Sequence, residues 1–110
     1  MPFRINLGGE GEIPDVLNQQ GRWVASPGWR ASGTNQSFDD LVRVGHNFLI
    51  ADNVRLSLPD DSVDEVITNN IPPVDSRTWL GPTVQTSEIQ RILKAGGRWV
   101  HNGVLRFIKP

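Results

Sequence analysis

Apolar and polar positions divide the chain into short blocks. Arg4 to Leu7 is a brief apolar run and reads as a first strand, stopped at once by Gly8, Gly9 and Gly11. Pro14 and the short spacing leave little room for a helix before Val16-Leu17-Asn18, the second strand or its approach. From Gly21 to Gly33 the period is lost, and this stretch reads as a loop carrying Trp23 and Trp29. Ser37 then caps a short helix whose apolar face is Phe38, Leu41 and Val42, ending at Gly45. Phe48 to Ala51 is a continuous apolar run, the pattern of a strand buried on both faces, and it ends at Asp52-Asn53. Val63 to Thr68 is the next strand, with Asn69 and Asn70 at its carboxyl end and Pro72-Pro73 closing it off.

The second half alternates. Thr83 to Lys94 predicts a helix, with Ile89, Ile92 and Leu93 on one face, Arg91 and Lys94 in its last turn, and Gly96-Gly97 beyond. Arg98-Trp99-Val100 follows as a strand ending at His101, and Val104 to Lys109 is a short final strand or tail. Strand, helix and strand in turn predict one α/β domain over residues 1–110, a compact Rossmann-like and mainly parallel sheet of about five strands.

Composition narrows the chemistry. With no cysteine there is no disulfide framework, thiolate nucleophile or thiolate metal site. No apolar run approaches the ~20 residues that cross a bilayer, and the start MPFRINL lacks a signal peptide's apolar region. The paired carboxylates Asp60-Asp61 read as a solvated turn, so no metal site is expected. Net charge is −1, but residues 1–88 hold all twelve acids against six arginines, and residues 89–110 hold five bases and no acid. That basic end suits a polyanion such as RNA, or equally a helix terminus and solvated tail.

Loops that follow parallel strands share one sheet edge, which brings Glu10, Asp52, Asn69, Asn70 and His101 toward each other. Metal-free RNA cleavage needs a base, an acid and a cation. His101 can act as either of the first two, with Glu10 or Asp52 as its partner. Arg98 or Arg106 supplies charge, and Asn69 and Asn70 supply hydrogen bonds to phosphate or a base edge.

INLGGEGEIPDVLN, FLIADNVRLSLPDDSVDEVITNN and EIQRILKAGGRWV, in that order, resemble the class I S-adenosylmethionine-dependent methyltransferases, shortened after the fifth strand. That resemblance implies that Gly8, Gly9 and Gly11 lie under the methionine part of the cofactor, and Asp52 and Asn53 beside the adenine. Gln19 or Gln20 stands where the family usually has an acid for the ribose hydroxyls. GGEGEIPDVLNQQG, with FLIADN, ITNNIP and GGRWVHNG, is also similar to C-terminal toxin modules of bacterial polymorphic and contact-dependent inhibition effectors. This second resemblance implies a domain delivered from the cell surface as part of a larger effector. Such a domain acts in a target cell's cytoplasm, is neutralised by a cognate immunity protein, and often attacks tRNA. The expectation is therefore an RNA-cleaving toxin, directed at tRNA, that needs no cofactor. The alternatives are an S-adenosylmethionine-dependent methyltransferase and a non-catalytic protein-binding module.

Overall fold

A computed structural model of the chain describes residues 2–51, 56–69 and 86–110. Six strands form one sheet: β1 (Arg4–Leu7), β2 (Leu17–Gln20), β3 (Asn47–Ile50), β4 (Val63–Thr68), β5 (Leu93–His101) and β6 (Val104–Ile108). Their spatial order is β3-β2-β1-β4-β5-β6, parallel throughout except for the antiparallel β5–β6 pair. Among the described residues, helices α1 (Phe38–Arg43) and α2 (Thr86–Ile92) accompany it, with a 3-10 turn at Arg22–Ala25. Among the described residues, no helix is long and apolar enough to cross a membrane.

The register divides the side chains between two faces. Ile5 pairs with Val66 and Val66 with Trp99, so these residues share a face with Leu7, two positions along β1. There they join Val63, Leu93 and the α2 residues Ile89 and Ile92 in the main core. The opposite face carries Asn6, its partner Asn18 and, next along, Phe48 of β3. Phe48 meets Phe38 of α1 edge to face, with ring centroids 5.1 Å apart, so α1 and α2 cover opposite faces. Sequence sets both ends of α1: the Ser37 hydroxyl accepts from the Asp40 N–H at 3.1 Å, and Gly45, at φ 105°, ends the turn.

Three expectations need correction. The apolar run at Phe48 is not a strand buried on both faces. Among the described residues, β3 stands at the end of the sheet with β2 as its one neighbour, and Asn47 and Ile50 are exposed. The second helix stops at Ile92, two residues before Lys94, because its last carbonyls already have partners outside it. Asp61 N–H donates to Arg91 O at 3.0 Å and Ser62 N–H to Ile92 O at 2.8 Å. Gly96 and Gly97 therefore belong to β5, where residues 94–97 bulge opposite the single residue Asp64 of β4. Finally, the sheet has six strands rather than about five. Asn102 and Gly103, at φ 49° and 79°, form the two-residue turn that folds β6 back on β5.

Candidate functional site

The chain leaves β1 for β2 on one side and, after β3, resumes at β4 on the other. Loops therefore diverge at the carboxyl ends of β1 and β4 and leave a crevice, the usual ligand position in an open parallel sheet. A cleft of about 720 Å³ lies here. Its lining includes Gly8, Glu10 and Glu12 from the loop after β1, Gln20 at the end of β2, Trp23, Trp29 and Ser32 from the next loop, and Asn69 and Asn102 beyond β4 and β5. Among the described residues, no lysine, arginine or histidine lines it.

The glycine turn is built mostly for packing. Gly8, at φ 71°, reaches the cleft, and its N–H donates to Gln19 O at 2.7 Å. Gly9 lies over the side chains of Asn6 and Asn18, and an added Cβ would come 2.2 Å from Asn18 Oδ1. Gly11 lies against Leu41 and His46. Of the three glycines expected under a ligand, only Gly8 faces the cleft; the other two let the turn settle on the sheet and on α1.

Glu10 and Glu12 differ in their attachments. Glu10 is fastened to the tryptophan loop: Ser32 Oγ donates to Oε2 at 2.7 Å and Ser32 N–H to Oε1 at 3.3 Å. Glu12 Oε2 accepts from Asn6 Nδ2 at 2.9 Å and Asn69 Nδ2 at 3.2 Å, while Oε1 accepts from the Glu10 N–H at 2.7 Å. Partial burial pushes the Glu12 carboxyl up, but these donors outweigh it and hold the group below the usual carboxylate range. Sequence reasoning passed over Glu12. Its signal was the E-G-E spacing, in which a left-handed Gly11 (φ 82°) separates two carboxylates of one loop.

The remaining expected residues are distributed as follows. Glu10 and Asn69 line the cleft. His101 is absent from the described lining. It stands at the end of β5 with Nδ1 2.8 Å from Thr68 Oγ1, and that oxygen also accepts from Trp99 Nε1 at 2.8 Å. Arg98 pairs with the buried Glu65 at 2.5 Å, and Arg4 reaches the same carboxylate at 3.2 Å. Arg106 is exposed on β6, at the irregular step where Trp99 pairs with Phe107 and Val100 with Leu105. Asp52, Asn53 and Asn70 lie outside the described residues. Four of the five bases in the C-terminal segment face acids: Arg91 pairs with Asp60 and Glu88, Lys94 with Asp64, Arg98 with Glu65, and Lys109 with Asp61.

The two loop tryptophans serve the cleft. The Trp23 ring lies on Gly21, where an added Cβ would come 1.9 Å from Cζ3, and 43% of the residue is exposed. Trp23 also borders a second cavity of about 450 Å³ with Arg22, Ile50 and Ala51. Gln20 is 4% exposed. Its Nε2 donates to Gly9 O at 3.0 Å, and its buried Oε1, like the side-chain oxygens of Asn6, Asn18 and Gln19, has no hydrogen-bond partner among the described residues. Comparison with family models, curated proteins and solved structures found no match to this chain.

Proposed function

We propose that this cleft is a nucleoside-cofactor site and that the chain is a small Rossmann-like domain of the S-adenosylmethionine-dependent methyltransferase kind. The observation that carries this reading is the lining: two carboxylates and two indoles, with no lysine, arginine or histidine among the described residues. Such a surface suits a cationic, hydroxylated ligand with an aromatic ring better than it suits a phosphodiester, whose charge calls for arginine or lysine. The residues fit the cofactor in kind. Gly8 gives close backbone approach, Glu10 and Glu12 offer carboxylate acceptors, and Trp23 offers an aromatic face beside the second cavity. Bound there, the cofactor would supply an electrophilic methyl group; the chain's own residues bind and orient it.

Titration calorimetry with S-adenosylmethionine tests this directly. Saturable heat is expected, and its absence at millimolar ligand would sink the reading.

One observation favours a second reading, the RNA-cleaving toxin module with its immunity partner. His101 directly precedes the cleft residue Asn102, and Thr68 fixes its ring. Incubation with total bacterial RNA in chelator, with and without S-adenosylmethionine, separates the two. Discrete tRNA fragments that require His101 and Glu10 but no cofactor would favour the nuclease.

A further inference from the structure

Thr68, Trp99 and His101 meet toward the carboxyl ends of β4 and β5, and the donors and acceptors they carry fix where each proton lies. Thr68 is 0% exposed, so solvent cannot serve its hydroxyl. Trp99 Nε1 can only donate, and it does so to Thr68 Oγ1 at 2.8 Å. The hydroxyl proton then needs an acceptor, and among the described residues the one other partner of Oγ1 is His101 Nδ1, at 2.8 Å. A buried hydroxyl proton without an acceptor is costly, so Thr68 donates to Nδ1. Nδ1 is therefore the bare nitrogen, and in the neutral ring the proton sits on Nε2.

The far side of the ring meets Asn102, whose side-chain amide lies 3.3 Å from Nε2. Two donors do not face each other across such a contact, so either Nε2 is bare or the amide turns its oxygen inward. The two ends of the ring decide this. Asn102 is exposed, and an exposed amide turns over with water answering whichever end is displaced, whereas Thr68 is sealed from water. The buried end prevails, and Asn102 Oδ1 accepts from Nε2–H.

We infer that His101 is a hydrogen-bond donor at the rim of the cleft rather than a proton-transfer group, with Thr68 as its positioning residue, and that Nε2–H holds a neutral carbonyl oxygen: that of Asn102 or, in its place, that of an amide ligand. Nε2 already carries its proton and Nδ1 is engaged by Thr68, so neither nitrogen is available as a base. The donor stands at the β5 edge of the cleft because Asn102 lines that edge. A neutral oxygen suits it better than an anion. Glu10 and Glu12 line the same cleft, and a neutral imidazole offers a dipole without a charge to offset theirs.

This role rests on the cleft being a ligand site, as proposed above, but not on which cofactor it holds. Long-range proton–nitrogen NMR at alkaline pH, where both imidazoles are neutral, reads the tautomer. His101→Gln identifies the signals, since His46 is the other of the two histidines. The proton is expected on Nε2 in the unaltered protein and in Thr68→Ser, which keeps the hydroxyl, and on either nitrogen in Thr68→Val. A proton on Nδ1 in the unaltered protein, or a Thr68→Val ring identical to the unaltered one, would overturn the positioning; if Thr68→Val does not fold, the unaltered protein alone decides. Titration with benzamide and benzoate, matched in ring and differing in amide against carboxylate, then reads the ligand. Benzamide is expected to shift the His101 Nε2 signal saturably. Its affinity, followed at the Asn102 side-chain amide, should fall about fivefold in His101→Ala, in keeping with one neutral hydrogen bond, and be kept in His101→Gln, which retains an N–H donor. A preference for benzoate, no shift with either compound, or equal benzamide affinity in His101→Ala would overturn the carbonyl site. Neither compound contains a nucleoside, so that failure is distinct from a failure of S-adenosylmethionine to bind.

Discussion

At the scale of single residues, the glycine turn shows how one sequence feature can serve a purpose other than the expected one. Three glycines after a strand suggest close approach of a ligand, yet the neighbours of Gly9 are the amides of Asn6 and Asn18, both fully buried. Gly9→Ala is therefore expected to act on the fold. Its methyl would displace a buried amide anchored through Asn18 Nδ2 to Asn47 O, and overpacking of this kind costs about 2 kcal/mol. Chemical denaturation should show that loss, with α1 and β3 loosening together because Asn18 joins β2 to β3. A stability equal to that of the unaltered protein would mean that the turn has room to shift. Such constraints were hidden from the sequence, since the residue that forbids a side chain at Gly9 lies nine positions away on another strand.

At the scale of elements, legibility followed locality. Strands β1 and β4 and the Ser37 cap were readable because their signals lie within a few adjacent residues. The fate of the run at Phe48 was not, because burial on both faces or one depends on where the strand stands in the sheet, which its own pattern does not encode. The end of α2 was misplaced for a related reason: its last carbonyls bond to Asp61 and Ser62, thirty residues earlier. The Asn102-Gly103 pair was a legible hairpin signal that marks β6 as a strand rather than a tail. Arg91 shows what fastens α2 in place. Its guanidinium donates to Glu88 Oε2 at 2.8 Å, to Asp60 at 2.8 Å, and to the carbonyls of Leu58 and Leu56 at 2.8 and 2.9 Å. Glu88 and Asp60 raise its pKa, so it stays charged throughout the working pH range. Arg91→Ala leaves two backbone carbonyls short of a donor and should lower stability by about 1–3 kcal/mol. Arg91→Lys should recover little of this, because one ammonium cannot replace a five-donor fork, and thermal melts of both variants would check it.

At the scale of the whole molecule, acids and bases that are segregated along the chain are interleaved in space. The acids of residues 60–65 meet the bases of the C-terminal segment, so an asymmetry that suggests a polyanion partner is largely an internal arrangement of ion pairs. Most of these pairs are solvent-exposed and individually weak, so pH should act through the carboxylates held by specific donors. Asp64 is lowered chiefly by the Phe3 N–H at 2.7 Å and secondarily by Lys94, and Glu12 by its amide and backbone donors against the upward effect of burial. A carboxylate depressed in the folded state stabilises above its unfolded value and loses that contribution as pH falls through its folded one. Melting temperature should thus hold level near neutrality and drop below about pH 4. The double variant Glu12→Gln, Asp64→Asn should show a shallower drop; an unchanged profile would place the acid sensitivity elsewhere. The positions of the indoles also give the protein a built-in optical readout. The chain has no tyrosine and four tryptophans: Trp99 is buried against Thr68, Trp23 and Trp29 line the cleft, and Trp79, which lies outside the described residues, is replaced by phenylalanine for the measurement. Emission from the solvent-open rings will respond to whatever enters the cleft, and emission from Trp99 to loss of the core, so occupancy and unfolding can be followed in one cuvette without a label.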